Sequence, residues 1–162
     1  EADVVVNVQD DEPFIAASQL REIIKCFDNP STEIATLVKP FGLNAPMDLI
    51  ENPNSPKVVV SNDGFALYFS RSVIPYLRGV AQAEWSQHHN YLKHIGLYAY
   101  RTEVLQKVTS MPQGDLEQCE SLEQLRWLQA GLRIRVGTTD VETIGIDTPD
   151  DLKRAELFLE SK

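Results

Sequence analysis

Short apolar runs of strand length alternate along this chain with segments whose apolar residues recur at helical spacing, and this alternation restricts the fold more than any other feature. Asp3–Gln9 contains three consecutive valines and no helical period, which is typical of a buried strand. The next segment, which Ser18 can cap and which runs to about Asp28, carries its apolar residues on one helical face. Strands interleaved with helices predict an α/β sandwich.

A β-hairpin interrupts this alternation. Two apolar runs flank Asn62-Asp63-Gly64, a sequence that favours a tight turn between antiparallel strands. We therefore predict a single α/β domain over residues 1–162 with a mixed, mostly parallel sheet, and Arg78–Asn90 is the longest connection without a regular pattern. The further predicted strands are Glu33–Lys39, Tyr91–Tyr100 and Arg133–Gly137, and the further predicted helices are Ala45–Glu51, Asp115–Ala130 and a last helix that begins at Thr148-Pro149.

The composition fits one globular domain and argues against several classes of function. The chain has 162 residues, of which 43% are hydrophobic and 24% are charged. Its net charge of −9 argues against a nucleic-acid partner, because a phosphate backbone requires a basic surface. The sequence has no run of 18 apolar residues and no signal segment, so we expect no membrane span and no export. Cys26 and Cys119 form no metal-binding pattern, and we expect them to be reduced thiols in the cytoplasm.

Acidic residues follow the first predicted strand directly, in the segment Gln9–Glu12. Magnesium prefers oxygen ligands, and one or two carboxylates together with substrate phosphates usually hold it. Asp11 is one candidate ligand, and Asp147, in a second loop before a capped helix, is the other. The alternative for each is a solvated turn, which is the commoner role of a short acidic loop. The sequence contains neither of the glycine-rich phosphate loops GxGxxG and GxxxxGK[ST].

Five segments of the sequence resemble one known family. They read VNVQDDEPFI, ALYFSRSVIPYLR, YLKHIGLYAYR, LEQLRWLQAG and GIDTPDDLKRA, and they occur in that order along the chain. The family is the 3-deoxy-manno-octulosonate (Kdo) cytidylyltransferases, also called CMP-Kdo synthetases, and the resemblance implies a nucleotide-diphospho-sugar-transferase-like sandwich. The family's N-terminal third, which carries a glycine-rich nucleotide loop, has no counterpart in this sequence. The chain therefore resembles the C-terminal two-thirds of the family's domain.

The resemblance implies a nucleotidyltransferase that uses CTP and Kdo as substrates and forms CMP-Kdo and pyrophosphate for lipopolysaccharide biosynthesis. The anomeric hydroxyl of Kdo would attack the α-phosphate of CTP, a transfer that depends on positioning and charge neutralisation. Asp11 and Asp147 would be the catalytic residues, because they would hold Mg²⁺ against the phosphate and the attacking hydroxyl. The resemblance also implies a cytoplasmic homodimer.

The resemblance assigns the sugar acid to a second set of side chains. Arg71 matches an arginine that meets the Kdo carboxylate, and a guanidinium group can bind a carboxylate through two hydrogen bonds. His94 and Tyr98 are four apart on a predicted strand and so share one face. Taken alone, Arg71 would more often form a surface salt bridge, His94 a structural contact, and Glu123 a solvated helix position. The complete implied substrate-binding set is Gln9, Arg71, His94, Tyr98, Glu123 and Gln124.

One residue departs from the family's pattern, since Asp10 stands where the family has glycine. Its carboxylate could strengthen metal binding or repel the triphosphate. Two other functions remain open: a related cytidylyltransferase that acts on another sugar acid such as sialic acid, and a non-catalytic domain that binds a metal or a sugar acid. The segments KHIGLYAY and LEQLR favour Kdo over sialic acid. The absent nucleotide loop favours a non-catalytic role for these 162 residues on their own.

Overall fold

The computed structural model of the chain describes residues 2–8 and 15–141. The strands are β1 (Val4–Asn7), β2 (Ile34–Pro40), β3 (Lys57–Val60), β4 (Ala66–Ser70), β5 (Leu92–Arg101) and β6 (Ile134–Thr138). The α-helices are α1 (Ala17–Lys25), α2 (Met47–Glu51), α3 (Trp85–His88), α4 (Thr102–Thr109), α5 (Asp115–Glu120) and α6 (Gln124–Gln129). The 3₁₀ turn Cys26–Asp28 extends α1, and a second 3₁₀ turn, Gln82–Glu84, leads into α3. None of the helices in the described ranges is long and apolar enough to cross a bilayer.

One mixed sheet contains all six strands, with β4, β3, β5, β2 and β6 as successive neighbours and β1 as an additional partner of β5. Strand β5 has ten residues, which is long enough to pair with three other strands. One edge of β5 pairs with β2 along its length, and the other edge pairs with β3 near its start and with β1 near its end. All three of these neighbours run antiparallel to β5.

The mixed sheet confirms the predicted α/β fold class, but the expected predominance of parallel pairs needs correction. Among the described strands, β2 and β6 form the one parallel pair. Parallel neighbours require a long crossover, and the chain between β2 and β6 supplies it through the hairpin, β5 and the helices α4–α6. The remaining neighbours are antiparallel, including the β3–β4 hairpin that the Asn62-Asp63-Gly64 turn predicted.

Helices cover both faces of the sheet, which makes the predicted sandwich. Helix α1 packs on one face, and the core there consists of Ile23, Cys26, Ala35, Leu37, Ile95, Leu97 and Ala99. Helices α4–α6 pack on the other face, where the largest buried side chains include Phe69, Tyr98, Tyr100, Leu125 and Trp127. Strand β2 is buried on both faces over its first five residues. Its sequence therefore shows no alternation of polar and apolar residues.

A third, smaller core lies beside the sheet and includes part of the segment predicted as the longest irregular connection. Arg78–Asn90 contains the short helix α3, and its Trp85 is buried with Ile50 and Tyr91. The Trp85 indole donates a hydrogen bond to the Val80 carbonyl at 3.0 Å. This connection is therefore anchored at Trp85 and the adjacent buried Ser86, whereas most of its other residues are exposed.

Two helical assignments differ from the sequence prediction. The predicted helix Asp115–Ala130 consists of α5 and α6, separated at Ser121, whose φ of 51° lies in the left-handed region. Helix α4 follows β5 without a loop and was not predicted, because its eight residues are too few for a strong helical pattern. Gln9, at the end of the first predicted strand, and the predicted helix from Thr148 lie outside the described residues.

Candidate functional site

Tyr98 lies at the point where three strands run side by side. In the register of the sheet it is opposite Asn7 of β1 on one side and opposite Thr36 of β2 on the other. The β2–β5 ladder has an irregularity between Thr36 and Leu37, yet His94 and Tyr98 stay on the same face with their ring centroids 5.4 Å apart. The structure therefore brings together the two side chains that the HIGLY segment predicted to share one face.

His94 is held as a neutral ring. Its Nε2 lies 3.0 Å from Oγ1 of Thr36, and the ring of Phe69 packs edge-on against it at 5.1 Å. Burial lowers the pKa of His94 to about 3, because the charged form loses hydration in this apolar environment. The imidazole is consequently uncharged at neutral pH and can only donate or accept an ordinary hydrogen bond there.

Tyr98 is fully protonated for the same physical reason. Burial raises its pKa well above the usual value, and the neighbouring Tyr100 and Glu123 raise it further. The Thr36 hydroxyl opposes this shift weakly, but it forms no hydrogen bond of acceptable geometry with Tyr98. The charge of Glu123 raises the pKa of both Tyr98 and Tyr100, because the start of α6 lies close to this part of the sheet.

The two residues that the LEQLR segment predicted lie at the start of α6, with Glu123 as its N-cap and Gln124 as its first residue, and they have different environments. The Gln124 side chain is buried, whereas the Glu123 side chain is 59% exposed and lies 3.7 Å from a guanidinium nitrogen of Arg126. Trp127, one turn later, packs edge-on against Tyr98 at 5.1 Å and against Tyr100 at 5.5 Å. These contacts fix α6 on the sheet face that holds His94 and Tyr98.

Three buried polar atoms in this region have no hydrogen-bond partner among the described residues. They are the Tyr98 hydroxyl, Nε2 of Gln124 and Nε1 of Trp127. An unsatisfied buried polar group costs about 1–3 kcal/mol, and such groups are rare in folded proteins. All three atoms lie where β5 meets α6, which makes this region the candidate site, and we call the three atoms the open polar groups. Sequence reasoning missed Trp127, because a tryptophan at helical spacing is more often a core residue.

Arg71 lies at the end of β4 and binds main-chain carbonyls. Its Nε donates to the Glu120 carbonyl at 2.6 Å, Nη1 to Pro53 at 2.8 Å and Nη2 to Ser121 at 3.1 Å. The Arg71 backbone N–H also donates to the Glu120 carboxylate at 2.9 Å. These bonds fix the turn between α5 and α6, two residues before Glu123. A guanidinium group has five N–H donors, so two remain for another ligand.

The predicted metal ligands and Gln9 lie outside the part of the chain that the structure describes. Asp11 and Gln9 belong to residues 9–14, as does Asp10, and Asp147 belongs to residues 142–162. Within residues 2–8 and 15–141, no group of three or more His, Cys, Asp or Glu side chains could hold a metal ion. Strand β1 ends at Asn7, which lies opposite Tyr98 and two residues before Gln9 in the sequence.

A cavity of about 420 Å³ lies elsewhere, between the end of α1 and β6. Its lining includes Glu22, Lys25, Cys26 and Arg135. Glu22 and Lys25 already pair with each other at 2.6 Å, and burial raises the pKa of the Cys26 thiol to about 11, which leaves it unreactive. This cavity contains none of the predicted site residues and offers no set of convergent free polar groups, so the β5–α6 region is the better candidate site.

Comparison with known proteins identifies the family. A family model described as cytidylyltransferase matches residues 1–134. The chain belongs to the cytidylyltransferase family. The 3-deoxy-manno-octulosonate cytidylyltransferase of Bacteroides thetaiotaomicron is 60% identical over 160 residues, which are 99% of this chain and 64% of the relative. The enzyme of the same name from Thermodesulfovibrio yellowstonii is 42% identical over 98% of the chain and 61% of the relative.

Solved structures agree with this assignment. The structure of CMP:2-keto-3-deoxy-manno-octonic acid synthetase complexed with CTP has a TM-score of 0.85 at 38% identity and covers 99% of this chain and 63% of that one. A 4-diphosphocytidyl-2C-methyl-D-erythritol synthase from Anaerococcus prevotii has a TM-score of 0.53 at 10% identity, which shows a shared fold alone. The resemblance of the sequence to Kdo cytidylyltransferases is confirmed, and the chain spans a little under two thirds of the length of these relatives.

The open polar groups lead to a stability prediction for this cytidylyltransferase. Tyr98→Phe should leave the free energy of unfolding of the ligand-free, full-length polypeptide unchanged or increase it, because the substitution removes a buried hydroxyl without a partner. Tyr91→Phe is the matched control, since the Tyr91 hydroxyl donates to the Pro75 carbonyl at 3.0 Å. We expect this control to lose about 0.5–1.5 kcal/mol in urea unfolding. Equal losses in both variants would show that the Tyr98 hydroxyl is already satisfied.

Proposed function

We propose that the full-length polypeptide transfers CMP from CTP to Kdo and releases pyrophosphate. One observation carries this proposal: the open polar groups, which belong to Tyr98, Gln124 and Trp127, lie beside the neutral His94. The relatives named as Kdo cytidylyltransferases support Kdo as the acceptor, and the solved relative in complex with CTP supports CTP as the donor. A sugar acid with several hydroxyls would supply both donors and acceptors to this set.

The open polar groups suit a neutral polyhydroxylated ligand chain. Nε2 of Gln124 and Nε1 of Trp127 are donors, and the Tyr98 hydroxyl can both donate and accept. The exposed Glu123 carboxylate at the rim is an acceptor for further sugar hydroxyls. Several directed hydrogen bonds of this kind would orient the anomeric hydroxyl toward the α-phosphate, and such a transfer depends on positioning together with charge neutralisation.

The carboxylate of the sugar acid requires a cation, and we propose Arg71 for this role. Two of its five N–H donors are not used in the bonds to Glu120, Pro53 and Ser121. The remaining side of the guanidinium group can form a charge-assisted bond, which is roughly twice as strong as a neutral one. His94 is unsuited to this task because burial keeps it neutral.

We further propose that Asp11 and Asp147 bind Mg²⁺. The chemistry of the pair fits, because carboxylate oxygens are the ligands that magnesium prefers. The described end of β1 at Asn7, opposite Tyr98, is consistent with a site shared with the sugar, since Asp11 follows four residues later in the sequence. When bound, Mg²⁺ would neutralise phosphate charge and lower the pKa of the attacking hydroxyl, so no strong protein base would be required.

We also propose, on the resemblance of the sequence alone, a homodimeric assembly, a cytoplasmic location and a place in lipopolysaccharide biosynthesis. The segments KHIGLYAY and LEQLR favour Kdo over another sugar acid such as sialic acid. A non-catalytic role is favoured for the 162 residues alone by one observation, the lack of a glycine-rich phosphate loop in their sequence.

The role of Arg71 predicts a selective loss of sugar binding. Arg71→Ala in the full-length polypeptide should weaken Kdo binding roughly 10- to 100-fold, since a hydrogen bond to a charged group contributes about 1.5–3 kcal/mol. CTP binding should change far less. Isothermal titration with each substrate measures the two dissociation constants, and Arg21→Ala, an exposed arginine on α1, is the matched control.

Two results would contradict this role. Equal weakening of Kdo and CTP binding would place Arg71 at the nucleotide. Unchanged binding of both, with a loss of stability, would restrict Arg71 to its carbonyl contacts with Glu120, Pro53 and Ser121.

The sequence also predicts the behaviour of the 162 residues in isolation. A cytidylyltransferase must neutralise a triphosphate, and phosphate sites use backbone amides at glycine-rich turns together with Lys or Arg. This chain lacks such a turn, so we expect no pyrophosphate release from CTP, Kdo and Mg²⁺ by protein that begins at Glu1. The full-length polypeptide in the same assay is the positive control. Turnover of the short form near that of the full-length form would contradict the prediction.

A further inference from the structure

The buried hydroxyl of Thr36 has one proton, but three polar atoms lie within hydrogen-bond distance of its oxygen. It is fully buried on β2, at the irregularity of the β2–β5 ladder. Its Oγ1 lies 2.9 Å from the Leu97 carbonyl oxygen, 3.2 Å from the Ile95 carbonyl oxygen and 3.0 Å from Nε2 of His94. Sequence analysis gave no sign of this residue, because a threonine within an apolar strand run is ordinary.

The Thr36 hydroxyl has one proton and three possible acceptors, and we assign the proton to the Leu97 carbonyl oxygen because that contact is the shortest, at 2.9 Å. With this assignment Oγ1 accepts from Nε2 of His94, since two lone pairs facing each other at 3.0 Å would repel. The assignment places the proton of His94 on Nε2.

The other ring nitrogen is consequently an acceptor. The rings of Phe69 and Tyr98 pack against His94, and neither carries a charge that would stabilise an imidazolium. Burial keeps the ring neutral, as its lowered pKa indicates. No described residue donates a hydrogen bond to Nδ1 of His94. A neutral ring protonated on Nε2 has an Nδ1 lone pair that can accept one further hydrogen bond.

We propose that Thr36 is a positioning residue that fixes His94 in the Nε2–H tautomer, so that Nδ1 accepts a hydrogen bond from a hydroxyl of the sugar acid. This proposal rests on the proposed function for the identity of the ligand, but the tautomer itself does not depend on it. The arrangement selects a hydroxyl donor at Nδ1 and disfavours a carboxylate or phosphate oxygen there, because two acceptors would face each other.

Nitrogen-15 NMR of the histidine rings in the ligand-free, full-length polypeptide tests the tautomer. We expect the His94 ring to show a protonated Nε2 and an unprotonated Nδ1, with its signals assigned by their loss in His94→Gln. Thr36→Val keeps the shape of the side chain and removes the hydroxyl, so the ring should become a mixture of tautomers. Thr36→Ser should restore the single tautomer.

The matched control is Thr32→Val. Thr32 is equally buried, but its hydroxyl donates to the Cys26 carbonyl at 2.7 Å and not to the site. This variant should leave the His94 spectrum unchanged. A protonated Nδ1, a charged ring in the unsubstituted protein, or an unaltered ring in Thr36→Val would overturn the proposal.

Binding measurements test the second half of the proposal. Thr36→Val should raise the dissociation constant for Kdo roughly three- to tenfold, the equivalent of one net hydrogen bond, and Thr36→Ser should recover most of the loss. His94→Asn, which places an acceptor near the Nδ1 position, should retain more Kdo affinity than His94→Gln. Unchanged Kdo affinity in Thr36→Val with an altered tautomer would overturn the positioning role. Absence of Kdo binding by the unsubstituted polypeptide would instead overturn the proposed function, and the NMR result would still decide the tautomer.

Discussion

The edge-on packing of Trp127 against Tyr98 and Tyr100 joins helix α6 to the central strand β5. Aromatic pairs of this geometry contribute about 0.5–1.5 kcal/mol each beyond the area they bury. The contact determines where the start of α6 lies relative to the sheet, and so it sets the positions of Glu123 and Gln124. Tyr98 also packs against the ring of His94, and Phe69 packs edge-on against the same ring. Burial by these neighbours lowers the pKa of His94 and keeps its imidazole neutral beside the open polar groups.

Hydrogen bonds from the end of β4 also hold the turn that precedes α6. Arg71, at the end of β4, binds the carbonyls of the turn between α5 and α6, and the Glu120 carboxylate accepts hydrogen bonds from Oγ of Ser70 at 2.7 Å and from the Arg71 backbone. The turn of the hairpin also contacts β6, because the Val136 N–H donates to the Gly64 carbonyl at 3.0 Å. The contacts of Arg71 thus place a cation at the turn before α6.

Sequence patterns predicted the parts of the fold that depend on local chemistry. The hairpin followed from Asn62-Asp63-Gly64, and the strands β2, β5 and β6 followed from apolar runs, with each end differing by one residue. Patterns failed where long-range contacts determine the structure. Ser121 breaks the predicted helix because the contacts of Arg71 hold the turn there. The direction of most strand pairs depends on the order in which the chain returns to β5.

The candidate site was predictable only in part, and for similar reasons. The resemblance supplied His94, Tyr98, Glu123 and Gln124, and the structure brings His94 and Tyr98 together beside the start of α6. Thr36 and Trp127 escaped notice because their roles depend on a neighbouring strand and on burial, which no local pattern reports. The predicted roles of Gln9, Asp11 and Asp147 stay predictions.

The most direct test of a ligand site between β5 and α6 is the indole N–H signal of Trp127 in a ¹H–¹⁵N NMR titration of the full-length polypeptide with Kdo. The Trp127 indole has no partner among the described residues, whereas the Trp85 indole donates to Val80 and serves as the internal reference. The account predicts that Kdo shifts the Trp127 signal in a saturable manner and leaves the Trp85 signal in place. A saturating Kdo titration that leaves Trp127 unchanged would contradict it.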